Sequence, residues 1–288
     1  MAEAGRASFP AVSETDIAWL GTADMVEVDR VMVDDLEIHL VQMMENAGRN
    51  LARLTLDLVA PSTAVVAVGT GGNGGGGLAA ARHLANAGVA VTVCTTRTVA
   101  AMGDVTAHQF AIVEGLPISL ADDPPPADVF VDALIGYSLV GPPRGRAAAL
   151  IEASTGYRQV ISLDAPSGLD TATGTVPGVA VAATATLTLA APKVGLRGHP
   201  LVGDLYVADI SVPPGVIECF GPAPRFADGP ILRVLPTRGL GGRASGPSAE
   251  VEPMGRPPVR MRGLNGPPQR RRPAARSPRR RRPGHRER

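Results

Sequence analysis

Three polar segments of the sequence each follow a short apolar run that is typical of a buried strand. They cover residues 69–77, 132–146 and 164–170. A strand that enters a glycine-rich turn and then a helix presents backbone N–H groups and the positive end of the helix dipole, which suit a phosphate or carboxylate. A carboxylate such as Asp164 beside hydroxyl groups can transfer a proton, and oxygen atoms from several loops can enclose a hard cation.

Each of these features also has a purely structural interpretation. A glycine-rich turn is often only a tight connection between strand and helix, and no Lys-Ser or Lys-Thr pair follows this one to make a Walker A loop. Asp132 could cap its own turn, and Asp170 more readily shapes the turn before Gly174. Lys193, the only lysine, fits an anion contact and a structural ion pair equally well.

Alternating apolar strands and amphipathic helices predict an α/β fold with a mostly parallel sheet and helices on both faces. The predicted strands cover residues 64–68, 89–94, 128–132, 159–163, 185–189 and 205–210, and the predicted helices begin at Thr22 or cover residues 40–58, 78–84, 107–113 and 147–153. Ligands in such sheets bind outside the carboxyl ends of the strands. All three polar segments lie at such ends, so we expect them to form one site.

The charge of the chain divides it into two parts. Residues 1–228 carry 12 Lys and Arg against 24 Asp and Glu, a net charge of −12, whereas residues 229–288 carry 16 Arg against 3 Glu, a net charge of +13. We predict a flexible leader at residues 1–21, one folded domain at residues 22–228, and a disordered Arg/Pro-rich tail at residues 229–288, because the tail lacks apolar periodicity.

The basic tail raises the hypothesis of nucleic-acid or anionic-surface binding. It has no aromatic residues to stack on bases, and the acidic domain opposes a polyanion, so we do not expect a nucleic-acid partner. Nor do we expect a membrane, since glycines and prolines interrupt the one long uncharged stretch, residues 171–192. The first residues do not resemble a secretion signal, and we expect a cytoplasmic protein.

Five blocks of sequence together resemble, in order and spacing, the NAD(P)H-hydrate epimerase family, the YjeF N-terminal domain. The match covers about residues 22–214. The blocks are residues 43–48 (Met-Met-Glu-Asn-Ala-Gly), the glycine segment 69–77 with the helix that follows it, residues 131–136 (Val-Asp-Ala-Leu-Ile-Gly), residues 164–168 (Asp-Ala-Pro-Ser-Gly) and residues 193–196 (Lys-Val-Gly-Leu).

The resemblance implies a three-layer α/β/α Rossmann-like sandwich, usually dimeric, that interconverts the R and S epimers of hydrated NADH and NADPH. A companion dehydratase, specific for the S epimer, then regenerates the reduced nucleotide. By position, Asp164 resembles the carboxylate that contacts the hydrated nicotinamide and transfers a proton. One potassium ion per subunit is implied, with Asn73, Asp132 and Ser167 as its ligands. The implied substrate-binding residues are Gly72, Asn73, Gly74, Gly75, Gly76, Gly136, Tyr137, Ser138, Leu139, Val140, Gly141, Pro142 and Asp164.

The glycine segment departs from the family pattern at two positions. The family typically has Gly-Asn-Asn-Gly-Gly-Asp-Gly, and here Gly72 replaces the first Asn and Gly76 replaces the Asp. In the loop at residues 136–142, Pro142 replaces a residue that is commonly acidic. The backbone N–H groups survive these changes, whereas two polar side chains do not. The alternative hypothesis is therefore a catalytically weakened or inactive nucleotide-binding or partner-binding member of the same fold.

Overall fold

A nine-stranded sheet organises the computed structural model, which describes residues 9–237. In sheet order the strands are β1, β9, β8, β7, β6, β5, β2, β3 and β4, and every neighbouring pair is parallel except β8 with β9. Their bounds are Ala11–Ser13 (β1), Thr63–Val68 (β2), Ala90–Thr95 (β3), Ser119–Leu120 (β4), Val129–Ala133 (β5), Val160–Leu163 (β6), Ala185–Leu189 (β7), Asp204–Ala208 (β8) and Ile231–Leu235 (β9).

Helices pack on both faces of this sheet, as predicted. On one face, Val65 and Ala67 of β2 belong to the same apolar cluster as Leu150 and Ile151. The helices are Thr22–Arg30 (α1), Leu40–Val59 (α2), Gly72–Asn86 (α3), Asp104–Glu114 (α4), Gly145–Ala153 (α5) and Pro214–Ile217 (α6), with a π-helical turn at Val31–Asp35 after α1. Within residues 9–237, none of them has the length and apolar character needed to cross a bilayer.

Helix α3 begins at Gly72, within the segment predicted to be a loop as far as Gly77. Close packing explains the glycines. A Cβ atom at Gly77 would lie 2.4 Å from Cβ of Ala133 in β5, and one at Gly48 of α2 would lie 2.5 Å from Cβ of Ala79 in α3. Glycine costs helix stability through backbone entropy, but it brings α3 close to the sheet and to α2.

The prediction of a flexible leader at residues 1–21 is wrong for residues 9–21. Strand β1 pairs with β9, and Leu20 is fully buried and forms a bridge with Lys193. A strand of three residues is too short to show a clear alternation of apolar and polar positions, so no sequence pattern indicated it. Residues 1–8 lie outside the described residues.

The predicted boundary of the tail at residue 229 is also wrong. Strand β9 pairs antiparallel with β8, and Ile231 and Leu232 are buried. The Arg/Pro-rich composition of the tail concealed this strand, in which Arg233 projects to the surface and forms an ion pair with Asp204 at 2.9 Å. The predicted disorder of residues 238–288 lies outside the described residues.

Candidate active site

Asp164 follows the last residue of β6 and adopts a left-handed backbone conformation with φ of 66°. Its carboxylate is buried and held at both oxygen atoms. Oδ2 accepts a hydrogen bond from the backbone N–H of Tyr137 at 2.9 Å, and Oδ1 contacts Nζ of Lys193. The carboxylate is thus oriented by the segment after β5 and by the segment after β7.

Lys193 is fully buried, and its ammonium group has three partners. Besides Asp164, Nζ donates to Oγ1 of Thr188 at 3.1 Å and to the carbonyl oxygen of Leu189 at 2.9 Å. A buried charge is tolerated only when it is paired and hydrogen-bonded. Of the two interpretations left open by the sequence, the structure therefore supports the ion pair.

Asp29 of α1 lies near this pair, and sequence patterns gave no signal for its role. The phenol group of Tyr137 donates a hydrogen bond to its Oδ2 at 2.5 Å. Burial raises the pKa of the Asp29 carboxyl group, although the hydrogen bond from Tyr137 opposes this shift. Burial also raises the pKa of the Tyr137 phenol, and the neighbouring Asp29 carboxylate raises it further.

These groups line a first cavity of about 260 Å³ at the carboxyl edge of the sheet. Its polar wall includes Asp29, Asn73, Tyr137, Ser138, Asp164 and Lys193. Its apolar wall comes mostly from α1 and α2 and includes Met25, Met43, Met44 and Ala47. An apolar cavity with a few convergent polar groups is typical of a small-molecule site.

A second cavity, of about 680 Å³, adjoins the first. The two share Gly72, Asn73, Gly136 and Ser138 as lining residues. The second cavity lies over residues 69–73 and is lined by three arginines, Arg97, Arg144 and Arg146. The first cavity is therefore mainly apolar around one ion pair, and the second is cationic.

Asn73 and Asp164 approach each other across Gly136. A Cβ atom at Gly136 would lie 2.9 Å from Oδ2 of Asp164 and 3.4 Å from Oδ1 of Asn73, so a larger residue would crowd both side chains. Nδ2 of Asn73 donates to the carbonyl oxygen of Leu163 at 3.2 Å. Among residues 9–237, Oδ1 of Asn73 accepts no hydrogen bond and can face a ligand.

Asp132 is fully buried at the end of β5 and accepts four hydrogen bonds. Its donors are the hydroxyl groups of Ser162 and Ser167, at 2.8 and 2.5 Å, and the backbone N–H groups of Ser167 and Leu134, at 2.8 and 3.2 Å. Burial raises the pKa of this carboxyl group, and these bonds oppose the shift. Among residues 9–237, no basic side chain forms an ion pair with Asp132.

The structure brings most of the predicted site residues to the two cavities. Gly72, Asn73, Gly76, Gly136, Tyr137, Ser138 and Asp164 line the first. Gly74 and Gly75 are buried in the first turn of α3. The predicted substrate residues Leu139, Val140, Gly141 and Pro142 line neither cavity, and Val140 is 94% exposed.

Comparison with known proteins identifies a family. Residues 40–195 match the model of the family described as YjeF-related protein N-terminus. The chain belongs to this family. The matched region contains α2, the glycine segment, Asp164 and Lys193, which all contribute to the cavity walls, and also the buried Asp132.

Named relatives agree with this assignment. The NAD(P)H-hydrate epimerase of Dehalogenimonas lykanthroporepellens is 47% identical over 201 residues, which are 67% of this chain and 81% of the relative. That of Truepera radiovictrix is 38% identical and is covered over 91% of its length. The bifunctional NAD(P)H-hydrate repair enzyme Nnr of Hyperthermus butylicus is 39% identical, and the match spans 41% of that longer protein.

A solved structure has the same fold. The crystal structure of the yeast protein ynu0 superposes with a TM-score of 0.62, covering 76% of this chain and all of the yeast chain. Its sequence is 23% identical. This similarity confirms the predicted α/β fold.

Proposed function

We propose that this protein is an NAD(P)H-hydrate epimerase, an isomerase that interconverts the R and S epimers of hydrated NADH and NADPH in nucleotide repair. The observation that carries the proposal is the oriented carboxylate of Asp164 in a mostly apolar cavity that opens onto a cationic one. The names of the family relatives support it.

A dinucleotide suits the two joined cavities. The hydrated nicotinamide ring occupies the first cavity beside Asp164, against the apolar wall from α1 and α2. The phosphates lie in the second cavity, where the N-terminus of α3 and the arginines favour negative charge. Since Gly72, Asn73, Gly136 and Ser138 border both cavities, one ligand can contact both without a change in the fold.

Inversion of the carbon that carries the added hydroxyl group is redox-neutral and requires proton transfer to and from the substrate. Asp164 acts as the acid–base group. Lys193 contacts one oxygen atom of its carboxylate, and the backbone N–H of Tyr137 donates to the other. These two contacts prevent rotation of the carboxylate, so it keeps a fixed orientation toward the substrate. The phenol of Tyr137 and Asp29 form a second proton-carrying pair on the wall of the same cavity.

The departures at Gly72 and Gly76 do not disturb this arrangement. A Cβ atom at Gly72 would lie 3.5 Å from Cε of Met44, and one at Gly76 would lie 2.9 Å from Cδ2 of Leu163. Glycine therefore widens the first cavity where the family carries larger side chains, while Asp164, Asn73 and Tyr137 retain their contacts.

A potassium ion held by Asn73, Asp132 and Ser167 is part of the proposal. The donor set fits, because it consists of oxygen atoms of the kind that hard cations prefer, and because the buried Asp132 lacks a basic side-chain partner among residues 9–237. When bound, the ion would neutralise Asp132 and stabilise the turn at residues 134–136. Ser167 already contacts this turn, since its Oγ accepts a hydrogen bond from the backbone N–H of Ile135 at 2.9 Å.

The proposal extends to partners and location. We propose a homodimer, one potassium ion per subunit, a cytoplasmic location, and a functional link to a separate NAD(P)H-hydrate dehydratase. The name of the bifunctional relative of Hyperthermus butylicus supports such a link. Sedimentation of the purified protein tests the dimer.

A coupled assay tests the function. The R epimer of hydrated NADH is incubated with an excess of a dehydratase specific for the S epimer, and formation of NADH is followed by absorbance. Adding this protein should make the R epimer available and accelerate NADH formation. A rate equal to the spontaneous background, in an assay where a reference epimerase consumes the R epimer, would overturn the proposal.

A further inference from the structure

The second cavity concentrates positive charge within an acidic part of the chain. Residues 1–228 contain 12 Lys and Arg residues against 24 Asp and Glu. Three of the 12, Arg97, Arg144 and Arg146, line this one cavity. Such a concentration favours a ligand with several negative charges.

The arginines are largely free to bind such a ligand. Among residues 9–237, the side chains of Arg97 and Arg144 form no ion pair or hydrogen bond. Arg146 approaches Asp123, itself 95% exposed, at 3.4 Å, and Nη2 of Arg146 is buried without a hydrogen-bond acceptor. The cavity therefore contains guanidinium groups whose hydrogen bonds are not completed by the described part of the protein.

The three arginines occupy two sides of the glycine segment. Strand β2, which leads into that segment, lies between β5 and β3 in the sheet. Arg144 and Arg146 are at the beginning of α5, which follows β5, and Arg97 follows β3. With the diphosphate at the N-terminus of α3, Arg144 and Arg146 flank it on one side and Arg97 lies on the other.

Arg97 stands at a position that distinguishes nucleotides in related folds. In a dinucleotide-binding β–α–β unit, an acidic residue near the end of the second strand binds the ribose 2′-hydroxyl group, whereas an arginine there accommodates a 2′-phosphate. Here β2, α3 and β3 form the unit. Residues 95–98 after the strand core read Thr-Thr-Arg-Thr, with an arginine and no acid.

We infer that Arg97 binds the 2′-phosphate of the adenosine ribose, so that the protein prefers hydrated NADPH to hydrated NADH. The identity of the substrate rests on the proposed function, whereas the preference for hydrated NADPH rests on the position of Arg97. The ligand class is an adenine nucleotide that carries a 2′-phosphate. Arg144 and Arg146 contribute to the binding of both substrates, because both substrates contain the diphosphate.

Turnover of the two substrates gives the first test, with the full chain. kcat/KM is measured for the R epimers of hydrated NADPH and NADH with the dehydratase in excess. The wild type should favour hydrated NADPH, and Arg97→Ala should lower the ratio of the two kcat/KM values by about tenfold, the loss of a charge-assisted hydrogen bond. Arg158→Ala, an exposed arginine before β6, should leave the ratio at its wild-type value. A wild-type ratio near one, or an unchanged ratio in Arg97→Ala, overturns the inference and leaves the function intact.

Binding gives a second test that does not require catalysis. The affinities of adenosine 2′,5′-bisphosphate and of adenosine 5′-monophosphate are measured by calorimetry for the wild type and for Arg97→Ala. The wild type should bind the bisphosphate more tightly, and the variant should lose about tenfold of that preference. Both proteins carry the same Arg-rich tail, so any nonspecific attraction of the tail for phosphate groups affects both sets of affinities equally. If neither epimer is turned over, the proposed function fails, and this binding comparison alone tests the inference. The inference is wrong if the wild type has no preference for the bisphosphate, or if both proteins have the same preference.

Discussion

The fully buried ammonium group of Lys193 contacts Oδ1 of Asp164 while the backbone N–H of Tyr137 donates to Oδ2 of the same carboxylate at 2.9 Å. One side chain is thereby fixed by chain segments that follow β5 and β7, with Asp164 itself following β6. The candidate acid–base group is therefore oriented by three neighbouring strands of the parallel sheet. Its position depends on the fold, and the stability of the fold depends on its pairing.

Replacement of the Asp164 carboxylate should remove catalysis. We expect Asp164→Asn to lower kcat by about a hundredfold or more, since a positioned acid–base group contributes typically 10²–10⁴-fold. The amide preserves the size of the side chain but leaves Lys193 buried against a neutral group. Asp164→Asn combined with Lys193→Met removes that unpaired charge, and it should recover stability without recovering activity. Recovery of turnover in the double variant would contradict the assigned role.

Removal of Lys193 should destabilise the protein strongly. Lys193→Met leaves the Asp164 carboxylate buried and uncompensated, and breaking a buried pair in this way lowers the free energy of unfolding by about 3–5 kcal/mol. Arg225→Met is the matched control, because Arg225 pairs with Glu218 at the surface, where an ion pair contributes about 0–1 kcal/mol. Urea denaturation measures both variants. Equal losses would show that the buried pair is not a structural element.

Two glycines of α3 should respond oppositely to the same substitution. A Cβ atom at Gly77 would lie 2.4 Å from Cβ of Ala133, so Gly77→Ala should destabilise the protein by about 1–3 kcal/mol through overpacking. At Gly72 the nearest atom is Cε of Met44 at 3.5 Å, so Gly72→Ala should stabilise it by about 0.4–1 kcal/mol. Thermal or urea unfolding of the two variants shows whether each substitution raises or lowers the free energy of unfolding. A stabilising Gly77→Ala would contradict the close contact of α3 with β5.

Asp29 should give stability a defined pH dependence. Burial, opposed by the hydrogen bond from Tyr137, raises its pKa above the ordinary 3.8, so the folded state holds this proton more tightly than the unfolded state. Between 3.8 and the raised value, stability attributable to this group falls as pH rises. Relative to Asp29→Asn, the wild type should gain stability as pH is lowered from neutral through that window. Urea denaturation at several pH values measures the free energy of unfolding of both proteins. If the stability of the wild type relative to Asp29→Asn increased as pH rises, the prediction would be wrong.

Potassium should stabilise the folded protein if the proposed ligands hold it. A ligand at ten times its Kd adds about 1.4 kcal/mol to the free energy of unfolding. We therefore expect a higher Tm in potassium chloride than in choline chloride at equal ionic strength. Ser167→Ala, which removes one proposed ligand, should reduce the difference, whereas Ser154→Ala, whose hydroxyl group bonds to Ile151 in α5, should not. Equal Tm values for the wild type in both salts would contradict the site.

The sequence predicted the parts of the fold that have strong periodicity. The apolar stripe of residues 40–58 corresponds to α2, Leu40–Val59, and the apolar runs before Asp132 and Asp164 correspond to β5 and β6. The edge strands β1 and β4 and the neighbouring strand β9 were missed, because the two edge strands are very short and β9 lies in an Arg/Pro-rich stretch. The start of α3 was misplaced because glycine indicates a turn in sequence, whereas here it permits close packing.

The candidate site was predicted in part for a similar reason. Asp132 and Asp164 were predicted as site residues because they lie at strand ends, and ligands bind at the carboxyl edge of a parallel sheet. Asp29 lies on a helix far away in sequence, and Lys193 was compatible with two roles. Their contacts with Tyr137 and Asp164 depend on tertiary packing, which no local pattern encodes.

Epimerase activity at Asp164 can be measured directly with separately purified R and S epimers of hydrated NADPH. Each is incubated with the protein, and the two epimers are quantified by chromatography over time. Both samples should approach the same R:S ratio far faster than without protein, and Asp164→Asn should slow this approach by about a hundredfold or more. If the folded wild-type protein changed neither sample faster than buffer alone, the assignment of an epimerase site at Asp164 would be wrong.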